Sequence, residues 1–470
     1  MVCTGRVLYL IPSPVNIFHK KTKPLGLFLR AFSFSENESL KSYTYEEDRG
    51  TILMKNSAGH NPRAHGEFSD FDRKCMARAV TLARKGAGRT SPNPLVGAVV
   101  VKNNQILGEG WHRQYGGKHA EAEALDAVLA AEKSPKGADL YCTLEPCCFT
   151  APDKHQRPCT ERIISSGIRR VIIANQDPNP RVNGGGIRML EQAGITVQSG
   201  LLAAEGERLN EGFFTFQRLG RPFVHLKIAQ TLDGRIAASG GNSGGESSET
   251  VVSAKTVVST GNHGFQWITD EAARRIVHRM RRDHDAVLIG RGTALADDPE
   301  LTVRLCRGPN PLRVVLDSRL SLPDSARLLA LPDREKTLIV CAAGAPPDRI
   351  AALRGMGAQV LPVDSAAASG GISLRAALAA LAERGVRSVL VEGGSTIFTS
   401  FLREGLWDRL TVFIAPLVLG QGTSAAGDLG IRTVKDALRL HDVSIKTIGD
   451  QVLIEGGRVA KEETLVYRDR

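Results

Sequence analysis

The chain is poor in aromatic residues, which make up 5% of it. A surface that holds single-stranded nucleic acid stacks bases on such rings, so a stacking platform is disfavoured. No run of about 18 or more apolar residues occurs, which argues against a membrane-spanning helix. Cysteine is sparse: eight thiols in 470 residues form no dense framework and fit a reducing compartment. Cys3, Cys75, Cys306 and Cys341 read as ordinary thiols. Acidic residues are missing before Glu36, while Arg6, Lys20, Lys21, Lys23 and Arg30 stand there among Leu, Phe and Ser. Residues 1–35 therefore read as an organellar address with a cleavage region at Arg30-Ala31-Phe32-Ser33, or as a plain disordered extension of a cytoplasmic protein. We set residues 1–66 apart from the folded chain.

The remainder has a globular composition, with 42% hydrophobic and 24% charged residues. Its length calls for two or three domains. The net charge of +11 is scattered rather than clustered. It suits a phosphorylated small substrate and a phosphorylated cofactor as well as it suits nucleic acid.

The most informative stretch runs from His119 to Cys159. It holds His119-Ala120-Glu121, then Glu145-Pro146-Cys147-Cys148, then Pro158-Cys159. A catalytic zinc site needs three protein ligands and an open position, and hydrolytic deamination needs a non-ligating carboxylate to move protons. His-x-Glu followed by Pro-Cys and a later Cys supplies these parts in the order used by zinc nucleobase deaminases. We assign His119, Cys147 and Cys159 as metal ligands and Glu121 as the catalytic proton shuttle. Cys148 competes with Cys147 for the same role, and the Pro-Cys register favours Cys147. A lone His or Cys is more often a packed side chain than a ligand; here the two halves of the motif require each other.

Periodicity places the motif in an alternating α/β chain. Helices are expected over 72–85, 121–132, 160–166 and 186–193, and strands over 96–101, 140–144 and 171–174. His119 and Glu121 then lie at a helix N-terminus, where the dipole favours negative charge. A second α/β domain begins near Arg221. Its strands are expected over 223–229, 286–290, 312–316, 337–341, 388–392 and 410–414, with helices over 271–282, 374–382 and 396–403. Residues 239–264 form a Gly/Ser/Thr-rich insert, and residues 443–467 are expected to hold closing strands. Gly393-Gly394-Ser395-Thr396 follows a buried strand and opens a helix, a place where backbone N–H groups can meet a phosphate. A Gly pair there is often only a tight turn.

Taken together, the motifs resemble one family, the bifunctional deaminase–reductase of riboflavin biosynthesis. The first half carries Ser91-Pro92-Asn93-Pro94-Leu95-Val96-Gly97, Gly110-Trp111-His112, His119-Ala120-Glu121, Thr143-Leu144-Glu145-Pro146-Cys147, Asp177-Pro178-Asn179-Pro180 and Leu209-Asn210-Glu211-Gly212-Phe213-Phe214. The second carries Gly220-Arg221-Pro222-Phe223, Thr231-Leu232-Asp233-Gly234, Trp267-Ile268-Thr269, Ala296-Asp297-Asp298-Pro299, Leu301-Thr302-Val303-Arg304 and Val391-Glu392-Gly393-Gly394.

The resemblance implies an α/β chain: a cytidine-deaminase-like three-layer domain over 67–215, then a dihydrofolate-reductase-like domain over 216–470. It implies zinc-dependent deamination of a diaminopyrimidine ribosyl phosphate, then NADPH reduction of the ribosyl group to ribityl. By the same resemblance Asn93 and His112 line the pyrimidine pocket. Ala229, Trp267, Thr293, Asp297, Ser318, Gly394, Ser395 and Thr396 contact NADPH, and Arg281, Leu301, Arg304 and Glu392 contact the second substrate. The partner is a small phosphoribosylated pyrimidine, not nucleic acid or membrane, and a homo-oligomer is expected.

The chain departs from the family pattern in three places. The 148–158 loop is three residues longer than usual, leaving Lys154, His155 or Arg157 as candidates for its basic contact. Asn183-Gly184-Gly185-Gly186 lacks a basic residue between its glycines. The 239–264 insert precedes Trp267, and Phe265 stands where a substrate-contacting Ser is typical. Rival readings are a deaminase whose reductase half is only structural, a nucleic-acid base deaminase, and a non-catalytic scaffold.

Overall fold

The structure, a computed structural model, describes residues 68–150, 156–238, 266–365 and 371–458, with short strands at 43–46, 51–54 and 255–256. Tyr43–Glu46 and Thr51–Met54 pair as an antiparallel hairpin within a unit spanning Met1–Glu67. The address expected over 1–35, Lys154, His155, Phe265, nearly all of the 239–264 insert and the chain beyond 458 lie outside the described residues. The second compact unit starts at Phe68.

Helix α1 (Asp70–Ala83) starts where Ser69 Oγ accepts the Asp72 N–H and Asp72 accepts the Ser69 N–H in return, a reciprocal cap. There follow β1 (Gly97–Lys102), β2 (Gln105–Trp111), α2 (Ala120–Ala130), β3 (Asp139–Leu144), α3 (Cys159–Ser165), β4 (Arg170–Asn175), α4 (Gly185–Gln192), β5 (Thr196–Ser199), α5 (Ala203–Leu209) and α6 (Glu211–Leu219). The sheet order is β2-β1-β3-β4-β5, antiparallel at β1 and parallel from β3 onward. One face packs on α1 through Met76, Ala79, Leu82, Val99, Tyr141 and Ile172. The other packs on α2, α3 and α4 through Ala124, Leu125, Ile163 and Leu190. This is the three-layer architecture expected from the motifs.

A buried polar network pins α1 to that sheet. Asp72 accepts from Tyr141 Oη at 2.6 Å and from Arg170 at 2.7 Å, and Arg170 also pairs with Asp139 at 2.9 Å. Burial alone would raise the Asp72 carboxyl, but the hydrogen bonds from Ser69 and Tyr141 and the Arg170 charge bring it down to about 2. The unfolded chain takes up this proton near 3.8, before the folded one does. Stability of about 2 kcal/mol is thus present above pH 4 and lost as pH falls toward 2. We expect Asp72→Asn to flatten the acid side of the melting-temperature profile between those values; an unchanged slope would remove Asp72 from this role.

Helix α6 runs across the expected boundary between residues 215 and 216, ends at Gly220 (φ +65°), and hands the chain to a second sheet. Its elements are β6 (Phe223–Thr231), α7 (Glu271–Asp283), β7 (Ala286–Gly290), α8 (Arg291–Asp297), β8 (Leu312–Leu316), β9 (Thr337–Ala342), α9 (Pro347–Gly355), β10 (Gln359–Val363), α10 (Leu374–Glu383), β11 (Ser388–Val391), α11 (Ser395–Glu404), β12 (Arg409–Ala415), β13 (Leu440–Ile448) and β14 (Gln451–Arg458). The order is β10-β9-β8-β7-β11-β6-β12-β14-β13. Only β14 and β13 run antiparallel to their neighbours. Strand β7 and residues Val389–Val391 of β11 are apolar and buried on both faces, as a parallel sheet requires. Strand β11, late in the chain, inserts between β7 and β6, so the topology switches there. Ligands of open α/β sheets bind at the carboxyl ends of strands beside such a switch.

Candidate active sites

The first site lies where β3 runs out. His119 is the N-cap of α2, and its side chain makes no capping hydrogen bond. Its Nδ1 stands 3.5 Å from Cys147 Sγ and 3.3 Å from Cys159 Sγ. The three ligand atoms lie within 4.8 Å of one another, and among the described residues this is the group of that kind. Cys148 is not part of it; its Sγ faces the Arg181 carbonyl at 3.9 Å. The Cys159 thiol is held well above its ordinary range, first by its hydrogen bond to Cys147 and then by burial. An imidazole and two thiols at this spacing would bind a cation that displaces the thiol protons. One nitrogen and two sulfurs suit zinc and leave a tetrahedral position for water. We expect Cys159→Ser to lower zinc content in elemental analysis; unchanged zinc would shift the third ligand to Cys148.

Glu121, 4% exposed, sits in the first turn of α2 beside that cluster. Burial raises its carboxyl above the usual carboxylate range, with the His119 ring opposing. A carboxyl so raised can carry a proton as well as release one. On the pocket side, His112 Nδ1 meets the Lys118 carbonyl at 2.9 Å. A carbonyl only accepts, so His112 donates from Nδ1 and accepts at Nε2. Burial lowers its pKa, which keeps it neutral. The Asn93 amide therefore donates to Nε2 at 3.2 Å, and its orientation is set.

Two supports of this site have no obvious sequence signal. Gln156, in the lengthened loop, accepts the His119 N–H at 3.2 Å and donates to the Gly117 carbonyl at 2.5 Å. It thereby satisfies the N–H of the N-cap residue itself, one of the donors that a helix start leaves without an intrahelical partner. Glu145 is buried and accepts four backbone N–H groups, from Asp177, Gly184, Gly186 and Ile187, at 2.9 to 3.2 Å. It ties the start of α4 to the strand end that delivers Cys147. A Cβ on Gly186 would stand 2.2 Å from the Pro146 carbonyl, which accounts for glycine there.

The second site occupies the carboxyl ends of β7, β11 and β6. Arg281 and Glu392 form a bidentate pair at 2.6 and 2.8 Å, both nearly buried, and Arg281 also donates to the Thr302 carbonyl at 3.1 Å. They are thus partners of each other rather than two separate contacts. Arg304 is half exposed; its backbone N–H goes to His278 Nδ1 at 2.9 Å and one Nη to Glu300 and Thr302. His278 is lowered to about 4 by burial and by Arg281, so it stays neutral and can accept. Leu301 has its side chain in the core with Val287 and Ile289, which leaves only its backbone, at φ +53°, for a ligand. Lys227, mid-strand in β6, was not foreseen. The β11–β6 register sets it beside Glu392, burial lowers its pKa, and the Glu392 carboxylate offsets part of that. A lysine inside the apolar run 223–229 was the available signal.

Of the residues expected to hold NADPH, Gly394 caps α11, and Ser395 and Thr396 open it. A Cβ on Gly394 would stand 3.2 Å from Thr293 Oγ1, so α8 and α11 meet here. One on Gly393 would stand 2.8 Å from Ile397 Cβ. This glycine cradle, with the free N–H groups that begin any helix, fits a cofactor phosphate. Asp297 ends α8, and Ser318 follows β8, whose neighbour is β7. Ala229 lies in β6 against Val277 and Phe413. Trp267 is exposed under Arg274, 5.0 Å from its ring, in a short strand paired with Lys255–Thr256.

Both halves match known families. The model described as cytidine and deoxycytidylate deaminase zinc-binding region matches residues 69–175, and that described as RibD C-terminal domain matches residues 222–454. The riboflavin biosynthesis protein RibD of Bacillus amyloliquefaciens is 40% identical over 84% of this chain and 99% of its own length. The RibD of Aquifex aeolicus is 39% identical over 82% of this chain and 98% of its own. The chain belongs to the RibD family. A solved RibD-type structure from Thermotoga maritima, a diaminohydroxyphosphoribosylaminopyrimidine deaminase/5-amino-6-(5-phosphoribosylamino)uracil reductase, superposes with a TM-score of 0.68. It is 34% identical and covers 83% of this chain and 99% of that one. The likeness spans both sites, so the order of the two RibD halves is kept here.

Proposed function

We infer that the chain is a two-site enzyme of riboflavin biosynthesis. It deaminates 2,5-diamino-6-ribosylamino-4(3H)-pyrimidinone 5′-phosphate and then reduces the ribosyl side chain with NADPH, giving 5-amino-6-(5-phosphoribitylamino)uracil. The observation that carries the reading is the His119–Cys147–Cys159 cluster beside buried Glu121, in one chain with a glycine cradle at a sheet switch point. The first domain is assigned to 67–215 and the second to 216–470.

In the first site His119, Cys147 and Cys159 would hold zinc, which would supply a Lewis acid. Glu121 would take a proton from the attacking water as the water oxygen bonds the amine-bearing ring carbon. It delivers the proton to the departing nitrogen, and ammonia leaves as the C–N bond breaks. Asn93, fixed by His112, presents its free amide edge to the pyrimidine. In the second site Thr293, Gly394, Ser395 and Thr396 hold NADPH, with Ala229, Trp267, Asp297 and Ser318 around it; the cofactor supplies a hydride. The Arg281–Glu392 pair, Lys227, Arg304 and the Leu301 backbone bind and orient the ribosyl phosphate. Supplying each half with its own substrate tests the assignment: the diaminopyrimidine alone should release ammonia, and the deaminated uracil alone should oxidise NADPH. Failure of the second with success of the first would favour a structural reductase half.

No nucleic acid or membrane is assigned as a partner, and no helix among the described residues is long and apolar enough to cross a membrane. A homo-oligomer is supported by Val434, Val443 and Ile445, at least half exposed around the outer strand β13. A cytoplasmic location, or delivery to an organelle by residues 1–35, belongs to the same reading.

A further inference from the structure

The Leu209-Asn210-Glu211-Gly212 stretch takes no part in either reaction as derived above, yet its two polar side chains reach into opposite halves. Asn210 is buried and bonds both backbone groups of Leu95: the Leu95 N–H donates to Oδ1 at 2.7 Å, and Nδ2 donates to the Leu95 carbonyl at 2.9 Å. One side chain thus supplies the pairing a neighbouring strand would give. Leu95 closes the turn that carries Asn93. That turn has few anchors of its own, because Pro92 and Pro94 have no N–H to donate; the Asn93 N–H goes to the Thr90 carbonyl at 2.8 Å.

Glu211, the next residue, accepts from Arg409 through both carboxylate oxygens, and Arg409 also donates to Glu455 at 3.1 Å. Arg409 opens β12, the strand bonded to β6, which carries Lys227 and Ala229. The chain just before that turn also meets the second half, at Gly88, where a Cβ would stand 2.7 Å from the Arg282 carbonyl.

We propose that Asn210 is a positioning residue for deamination, holding the 91–95 turn so that Asn93 faces the pyrimidine, and that the Glu211–Arg409 pair makes the reductase sheet the anchor of that hold. The proposal rests on the deaminase reading of the first site. Its consequence is that the halves are not independent modules: a change at the junction with the reductase sheet alters substrate binding in the deaminase.

The test uses the full chain loaded with zinc. Asn210→Ala should raise the KM for ammonia release about ten- to a hundredfold, as loss of a substrate contact made equally in the ground and transition states does. Its kcat and zinc content should stay those of the wild type, and NADPH oxidation on separately supplied deaminated substrate should not change. Glu211→Gln should raise the same KM by less. A wild-type KM in Asn210→Ala overturns the positioning role. So does a joint fall of kcat, zinc content and reductase rate, which packing alone would produce. An unaltered KM in Glu211→Gln overturns the anchoring, and that variant decides the matter if Asn210→Ala does not fold. If the wild type itself releases no ammonia, the deaminase reading and this proposal fall together; if it does, only the proposal is at stake.

Discussion

Replacing Glu121 by Gln is expected to leave zinc bound and to lower ammonia release by about 10²- to 10⁴-fold, the span that a positioned acid–base group contributes. The amide keeps the size of the carboxyl and can still hydrogen-bond in the buried space beside the cluster, so the ligands keep their places. It cannot take a proton from water or return one to the leaving nitrogen. The reductase half, more than a hundred residues away in sequence, should oxidise NADPH at the wild-type rate when given deaminated substrate. Full deaminase activity in this variant would take Glu121 out of its role. Loss of zinc would instead make it a structural support for His119.

Glu392→Gln is expected to be costly in another way. Arg281 gives Nε and one Nη to the Glu392 carboxylate and is nearly buried with it. Burial alone would push the Glu392 carboxyl up, but the Arg281 charge and hydrogen bonds, with Lys227 nearby, hold it below the usual range. An amide leaves the guanidinium and the Lys227 ammonium without their counter-charge. Breaking a buried pair in this manner costs about 3–5 kcal/mol. We expect a lower denaturation midpoint, together with loss of NADPH oxidation under conditions where the variant is still folded. Arg281→Met should cost less stability than Glu392→Gln, because the remaining carboxylate still has Lys227. An unshifted midpoint in Glu392→Gln would mean that water, not Arg281, balances that charge.

Much of this was legible in the amino-acid order because the chemistry is local. His119 and Glu121 are two residues apart at a helix start, and Cys147 follows its strand directly, so spacing alone brings most of the zinc site together. The long apolar strands 286–290 and 337–341 could be read because both faces are buried. Two of the edge strands could not: Thr196–Ser199 carries one apolar residue and Gln359–Val363 contains a proline. The supports were hidden for a different reason. Gln156, Glu145 and Asn210 act on backbone groups 32 to 115 residues away, and backbone partners leave no trace in residue type. Leu301 and Arg281 show what a resemblance leaves out: it named them as contacts without saying that the Leu301 side chain packs in the core, which leaves its backbone to face a ligand, or that Arg281 is held by Glu392.

The central claim is that one chain performs both steps in succession. Purified protein with zinc, the diaminopyrimidine ribosyl phosphate and NADPH in one vessel tests it most directly, with ammonia and NADPH followed together and a parallel vessel lacking NADPH. The account predicts ammonia in both vessels, and NADPH loss that begins only after ammonia appears and vanishes in Glu121→Gln. NADPH loss that precedes ammonia, or ammonia without any NADPH loss, would contradict it.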